Sequence, residues 1–208
     1  MLKDVREIAA RYPADPALLA TLAEAEYSAG NDAEAIAAAD AALALDPARV
    51  AAYVQKGYAL FHRAAEAEDK VAAYRAAVEP FLALNKIEND HPLPLIYYYR
   101  SFADSGRQPS VTAVQGLERA VQLAPFDLDL RLMLASYQLG DGQVDAARIN
   151  FLPIAYSPHG GSQAERARGV VERIDAGDPP DAEELTAIFG PGPTDETKKA
   201  AGDGDSGD

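Results

Sequence analysis

Residues 16–49 read PALLATLAEAEYSAGNDAEAIAAADAALALDPAR, a stretch of 34 residues that closes just after Pro47 and then begins again. The next window opens at Val50, and two later windows open at Pro94 and Leu128, again 34 residues apart. A period of this length in an alanine-rich chain predicts stacked helix pairs. Each pair buries its apolar side only against its neighbours, so the core runs along the stack. Alanine suits that role, since it is the strongest helix former and lets helices approach closely.

The repeat rests on a set of positions at fixed spacing. The eighth position of each window is small, as a close helix crossing requires: Ala23, Gly57, Ser101 and Ala135. The fourth is a large packing residue in Leu19, Tyr53 and Tyr97, and Arg131 in the last window. Further along come Ala35, Ala113 and Ala147, then Ala39, Leu84, Leu117 and Phe151, then Ala42, Ile87, Ala120 and Ile154. Pro47, Pro92 and Pro125 close the windows, with Pro158 one residue early in the last, because proline stops a helix and favours a turn.

Together these residues resemble the tetratricopeptide repeat (TPR) over residues 16–158. The resemblance implies an all-α fold: a right-handed α-solenoid of about four TPR helix pairs with an N-terminal half-repeat helix and a C-terminal capping helix. The repeats fall near 16–49, 50–93, 94–127 and 128–160, with the capping helix at 163–175, so that the solenoid covers 1–176. Residues 177–208 hold a short helix and an acidic tail expected to be disordered.

The second window departs from the period. Val50 and Pro94 are 44 residues apart, so ten residues are added, and the expected place is the turn around Arg63 to Lys70. Pro80 stands where a small residue belongs, which predicts a lengthened and bent second helix over Val71–Asn89, or a first turn set by the proline. The addition is read either as a tolerated loop or as a bulge that shapes a partner's site.

At the start, a helix over Leu2–Arg11 ends at Tyr12-Pro13, and Asp15 caps the next helix with Pro16 at its first position. This half-repeat is read either as a native cap or as the stump of a longer array. Leu2, Val5 and Ile8 are expected to pack inward. After the fourth repeat, Ser157-Pro158-His159-Gly160-Gly161 is a turn of helix breakers. The capping helix follows, with Val170, Val171 and Ile174 as its buried edge and Glu165, Arg166, Arg168, Glu172 and Arg173 on its wet side. A short helix over Asp181–Phe189 offers Leu185, Ile188 and Phe189 for docking. From Gly190 the composition is too polar to fold.

The chain carries a net charge of −14 over 208 residues, of which residues 175–208 hold −8. Neutralising phosphates needs clustered Lys and Arg, so the charge disfavours nucleic acid and anionic membrane surfaces as partners, and neither nucleic-acid binding nor membrane insertion is expected. No apolar run is long enough to span a bilayer. There are no cysteines, which removes disulfides, thiolate metal sites and cysteine nucleophiles. The start Met1-Leu2-Lys3-Asp4 lacks an apolar stretch of the signal-peptide kind, so the expected compartment is cytoplasmic.

Chemistry-bearing patterns are missing. His62 and Glu66 share a helix face, but no HExxH is present and two ligands do not make a metal site. His91 precedes Pro92 in a turn, and His159 lies in the glycine-rich turn. Serines lack a G-x-S-x-G setting, and Gly190-Pro191-Gly192-Pro193 is no phosphate loop, since no GK[ST] follows. The expectation is a non-enzyme without cofactor or metal.

The resemblance instead implies a binding surface, because the first helix of each TPR pair lines a concave groove. Its groove positions fall here on Ala17, Ala20, Glu24, Tyr27 and Ser28, on Ala51, Val54, Tyr58, Phe61 and His62, on Leu95, Tyr98, Phe102, Ser105 and Gly106, and on Asp129, Leu132, Ser136, Leu139 and Gly140. The partner-binding set read from these is Tyr27, Tyr58, Phe61, His62, Tyr98, Phe102, Leu132 and Leu139, aromatic and aliphatic anchors for a peptide or protein segment. Self-packing, or cover by Leu185–Phe189, is the alternative for the same residues. The positions at which one TPR subclass clamps a C-terminal carboxylate hold Ala20, Glu24, Tyr58, Leu95 and Tyr99, none of them cationic.

A narrower resemblance rests on Glu79-Pro80-Phe81-Leu82-Ala83-Leu84-Asn85-Lys86-Ile87, on Tyr97-Tyr98-Tyr99-Arg100-Ser101-Phe102 and on Phe151-Leu152-Pro153-Ile154-Ala155-Tyr156. It is similar to the C-terminal repeat arm of alphaproteobacterial proteins with a peptidase-like domain. That resemblance implies a structural arm with no ligand of its own, and a cell-envelope location. The half-repeat also opens a route to self-association.

Overall fold

The computed structural model describes residues 2–190, so the acidic tail expected to be disordered lies outside the described residues. Those residues form twelve α-helices and no strand. The contacts divide the chain into two compact units, residues 1–124 and 125 onward. The division falls between the third and fourth repeats.

In the first unit, α1 (Leu2–Arg11) packs on α2 (Pro16–Ser28), which pairs with α3 (Asp32–Leu45). The Asp15 carboxylate accepts from the Ala17 and Leu18 amides at 2.9 and 3.1 Å, which satisfies donors the helix start leaves open. The seam between the helices is alanine: Ala23, Ala35, Ala39 and Ala42 are fully buried. α1 is held by a polar clamp. Arg6 donates Nε and Nη2 to the two Glu26 oxygens at 2.6 and 2.7 Å, and Asn31 adds a third bond at 2.8 Å. Glu26 is 3% exposed, and these bonds, the Arg6 one first, hold its carboxyl below the usual range. Leu2 and Val5 are half-buried, but Ile8 does not pack inward: it is 44% exposed, and Ala9, four residues after Val5 on the same helix face, is buried instead.

The second pair contains the added residues, and they are helical. α4 (Val50–Ala65) has 16 residues where α2 has 13, and the turn 66–69 is short. The second helix is split into α5 (Lys70–Ala77) and α6 (Glu79–Ile87), joined at Val78 with Pro80 in the first turn of α6. Proline has no N–H to give back to the preceding turn, which breaks the ladder there. α4 packs on both segments. Ile87, expected in the seam, is 43% exposed, because α6 ends at that residue whereas α3 runs on past Ala42. The third pair is α7 (Pro92–Ala103) and α8 (Val111–Leu123), capped by the His91 ring nitrogen Nδ1, which accepts from Leu93, and by Ser110, which accepts from Ala113.

In the second unit, α9 (Leu128–Gly140) and α10 (Val144–Ala155) form the fourth pair, and α11 (Gly161–Asp175) lies on α10. Phe151, Ile154 and Val170 are its largest fully buried side chains. Arg148 of α10 grips Asp175 of α11 through two bonds of 2.6 and 3.0 Å. Val170, Val171 and Ile174 are buried while Glu165, Arg166, Arg168 and Glu172 are exposed, the one-sided pattern of a cap. α11 starts at Gly161, two residues before the expected start. The odd residue at the fourth position, Arg131, does what Tyr53 does: each reaches the carbonyl of the closing proline before it, Pro125 and Pro47, at 2.9 Å. Finally α12 (Ala182–Phe189) packs on α9 and α11.

Candidate functional site

The first unit gathers its aromatic side chains around the bent second pair. Gly57 makes this possible: a Cβ at that position would overlap the Phe81 ring, so the ring lies directly on the α4 backbone. Phe81 is fully buried and stacks on Tyr97 of α7, centroids 4.2 Å apart and planes at 12°. Phe61 meets Tyr97, Tyr74 and Phe81 edge-on at 4.6, 5.2 and 5.8 Å. Such pairs add about 0.5–1.5 kcal/mol each beyond area burial.

On this base lies a row of half-buried tyrosines. Tyr27 of α2 is 5.8 Å from Tyr58 of α4, which is 5.4 Å from Tyr97 of α7. One ring therefore comes from the first helix of each of three successive pairs. Burial raises the Tyr58 hydroxyl above its ordinary range and pushes Tyr97 up to about 12, so both stay neutral phenols at any physiological pH. The Arg100 guanidinium sits 5.0 Å from the Tyr97 ring centre and 5.8 Å from that of Phe61, and is paired with Asp104 at 2.8 Å.

Of the eight residues read as a groove, Tyr27 and Tyr58 touch within this row. Phe61 is 5% exposed and belongs to the core beneath it, so it presents no binding face. His62 is exposed and turned to the preceding pair, its Nδ1 2.6 Å from an Asp32 oxygen; that hydrogen bond, and then the Asp32 charge, raise its pKa. Tyr98 and Phe102 are half-buried and meet edge to face at 5.5 Å, and Arg107 covers the Phe102 ring at 4.4 Å. Glu24 and Ser28 line an open hollow of about 230 Å³ with Val5, Thr21 and Ala25. Tyr97 and Arg100 were missed as surface residues. Tyr97-Tyr98-Tyr99 is a run in which only helix rotation decides which ring is core, and Tyr99 is the buried one.

Leu132 and Leu139 lie in the second unit. Leu139 is 6% exposed in the cluster that also contains Leu185 of α12, with Leu132, Ile188 and Phe189 packed against it. There the chain's own C-terminal helix takes the face that the repeat pattern assigns to a partner.

Among the described residues no group of three or more His, Asp or Glu side chains is placed to hold a metal, and no helix is long and apolar enough to cross a membrane. No protein-family model and no curated protein matches the chain. Solved structures do. TTC0263, a thermophilic TPR protein of Thermus thermophilus, superposes with a TM-score of 0.65 at 19% identity over 81% of this chain and 87% of its own. YrrB, a TPR protein described as having an unusual peptide-binding site, gives 0.64 at 18% identity over 90% and 91%. MamA gives 0.60 at 15% identity over 81% and 86%. Helix pairs, small crossing residues and this likeness agree: the chain has the tetratricopeptide-repeat fold.

Proposed function

We propose that this protein is an interaction scaffold that holds a peptide or protein segment against Tyr27, Tyr58, Tyr98 and Phe102 of its first unit. The observation that carries this reading is the display of half-buried rings by the first helices of three successive pairs: Tyr27, Tyr58 and, on α7, Tyr97 together with the edge-to-face pair of Tyr98 and Phe102. Rings of this kind give large contact area at low entropic cost, and their neutral hydroxyls donate to backbone carbonyls of an incoming chain. Solenoids of stacked helix pairs work by presenting extended surfaces, which suits a binding role. A peptide partner also fits the acidic, cation-poor character of the chain better than nucleic acid.

A displayed peptide library selected on the full-length chain tests it. Selected sequences should bind with affinities that fall about tenfold or more for Tyr58→Ala and again for Phe102→Ala, the scale of an anchor residue. Peptides that bind the double variant as well as the parent, with melting curves showing that it is folded, would sink the reading.

A further inference from the structure

The second unit holds an apolar cradle that is already filled. Leu185 of α12 is 5% exposed within the cluster built from α9, α10 and α11, and Phe189 stacks on Phe151 at 5.9 Å. Beside this cradle α11 places two arginines. Arg173 donates to both Glu184 oxygens at 2.8 and 3.1 Å, and the Arg166 guanidinium lies 5.9 Å from the Phe189 ring centre. The site thus reads a helix that is acidic in its first turn and carries leucine, isoleucine and phenylalanine on one side, the i, i+3, i+4 spacing of helix-in-groove recognition.

α12 has the marks of a ligand more than of a core helix. It is eight residues long, well below the length at which a helix stands alone in water, so docking is what keeps it formed. Its own reciprocal cap, Asp181 with Glu184, prepares it to fold as it lands. Only Leu185 of its side chains is buried, and Ala182, Glu183, Thr186 and Ala187 face solvent. The segment before it turns at Gly177, φ 79°, and is latched by the same Arg173, whose Nε donates to the Asp178 carbonyl at 3.1 Å. An element held by so few buried contacts comes from the low-stability end of a structure.

We propose that the α9–α11 face is a binding site for an acidic amphipathic helix of a partner protein, and that α12 is its tethered occupant, displaced when a helix of the same pattern arrives. The site shares no residue with the tyrosine surface of the first unit, so each test stands alone. Being covalently linked, α12 competes as a ligand at high effective concentration, and a weakened α12 leaves the cradle open.

The probe is a fluorescein-labelled peptide of residues 178–190, titrated into the full-length chain and into its Leu185→Ala/Phe189→Ala variant. The variant should bind it roughly 100-fold more tightly than the parent, and Arg173→Glu in the variant background should abolish that gain. A variant that keeps its helical circular dichroism yet shows no saturable binding overturns the proposal, as does equal binding by the parent. Amide exchange on the parent chain gives a second test that needs no variant. Residues 182–189 should exchange far ahead of α9–α11; protection equal to those helices would overturn the idea.

Discussion

The first and second helix pairs occupy the same frame and solve its packing in opposite ways. Between α2 and α3 the seam is mostly alanine, with Leu19 beside it, and specificity comes from a buried carboxylate, Glu26, gripped by Arg6 and Asn31. Around α4, α5 and α6 the seam is aromatic, and the small residue at the crossing, Gly57, is there to admit the Phe81 ring. The difference teaches that a 34-residue period constrains helix order and crossing, while side-chain volume sets how far apart the helices stand. The alanine-seamed pair gives the surface one half-buried ring, Tyr27, whereas the aromatic seam has several at its rim, and the candidate site lies along that rim.

The largest break of this comparison is Phe81→Ala. Removing a fully buried ring that touches Tyr58, Phe61 and Tyr97 should cost about 3–5 kcal/mol, read by urea unfolding, and it should also loosen the tyrosine row. Gly57→Ala comes next. Its methyl group has no room beside the same ring, so about 1–3 kcal/mol of overpacking is expected, and Gly57→Ala with Phe81→Leu should be markedly less costly than the two changes summed. If Gly57→Ala proves neutral, the close approach is not what requires glycine.

The polar clamp of the first pair is tested by pH. The folded-state pKa of Glu26 lies below its ordinary value of 4.5, chiefly through the Arg6 hydrogen bond. Its contribution is therefore fully present above about pH 4.5 and is lost as pH falls through the folded value. Thermal melts should show that acid-side loss in the parent and a flatter acid limb in Glu26→Gln; identical pH profiles would mean that the clamp adds nothing. The smallest effect is expected for His62→Ala. The raised His62 pKa gives a stabilisation fully present below the ordinary value of 6.5 and lost as pH rises through the folded value, so this exposed contact should matter most near pH 5 and fade on the alkaline side.

Much of the architecture was legible from local signals. The period, the small crossing residues, the closing prolines and Asp15 at a helix start each depend on neighbours a few residues away, and the observed helices follow them. The site was legible only in part. Tyr27, Tyr58, Tyr98 and Phe102 are half-buried at the surface, whereas Phe61 belongs to the core, because a longer α4 and a split second helix bring Tyr74 and Phe81 against it. Ile8 and Ile87 were placed inside by pattern and lie outside: in α1 the inward position after Val5 falls on Ala9, four residues on, and α6 ends at Ile87.

By itself the amino-acid sequence determined that this protein is a stack of helix pairs with an enlarged second member and a one-sided helix after the last. Those properties follow from spacing, propensity and capping, which act along the chain. Only the tertiary structure decided that the added residues become helix, that Pro80 divides α5 from α6 at Val78, that Arg6 finds Glu26, and that α12 fills the face beside Leu132 and Leu139. Each of these joins groups brought together by the fold, and the energies that select them, ring packing and a paired buried charge, exist only once the helices have met.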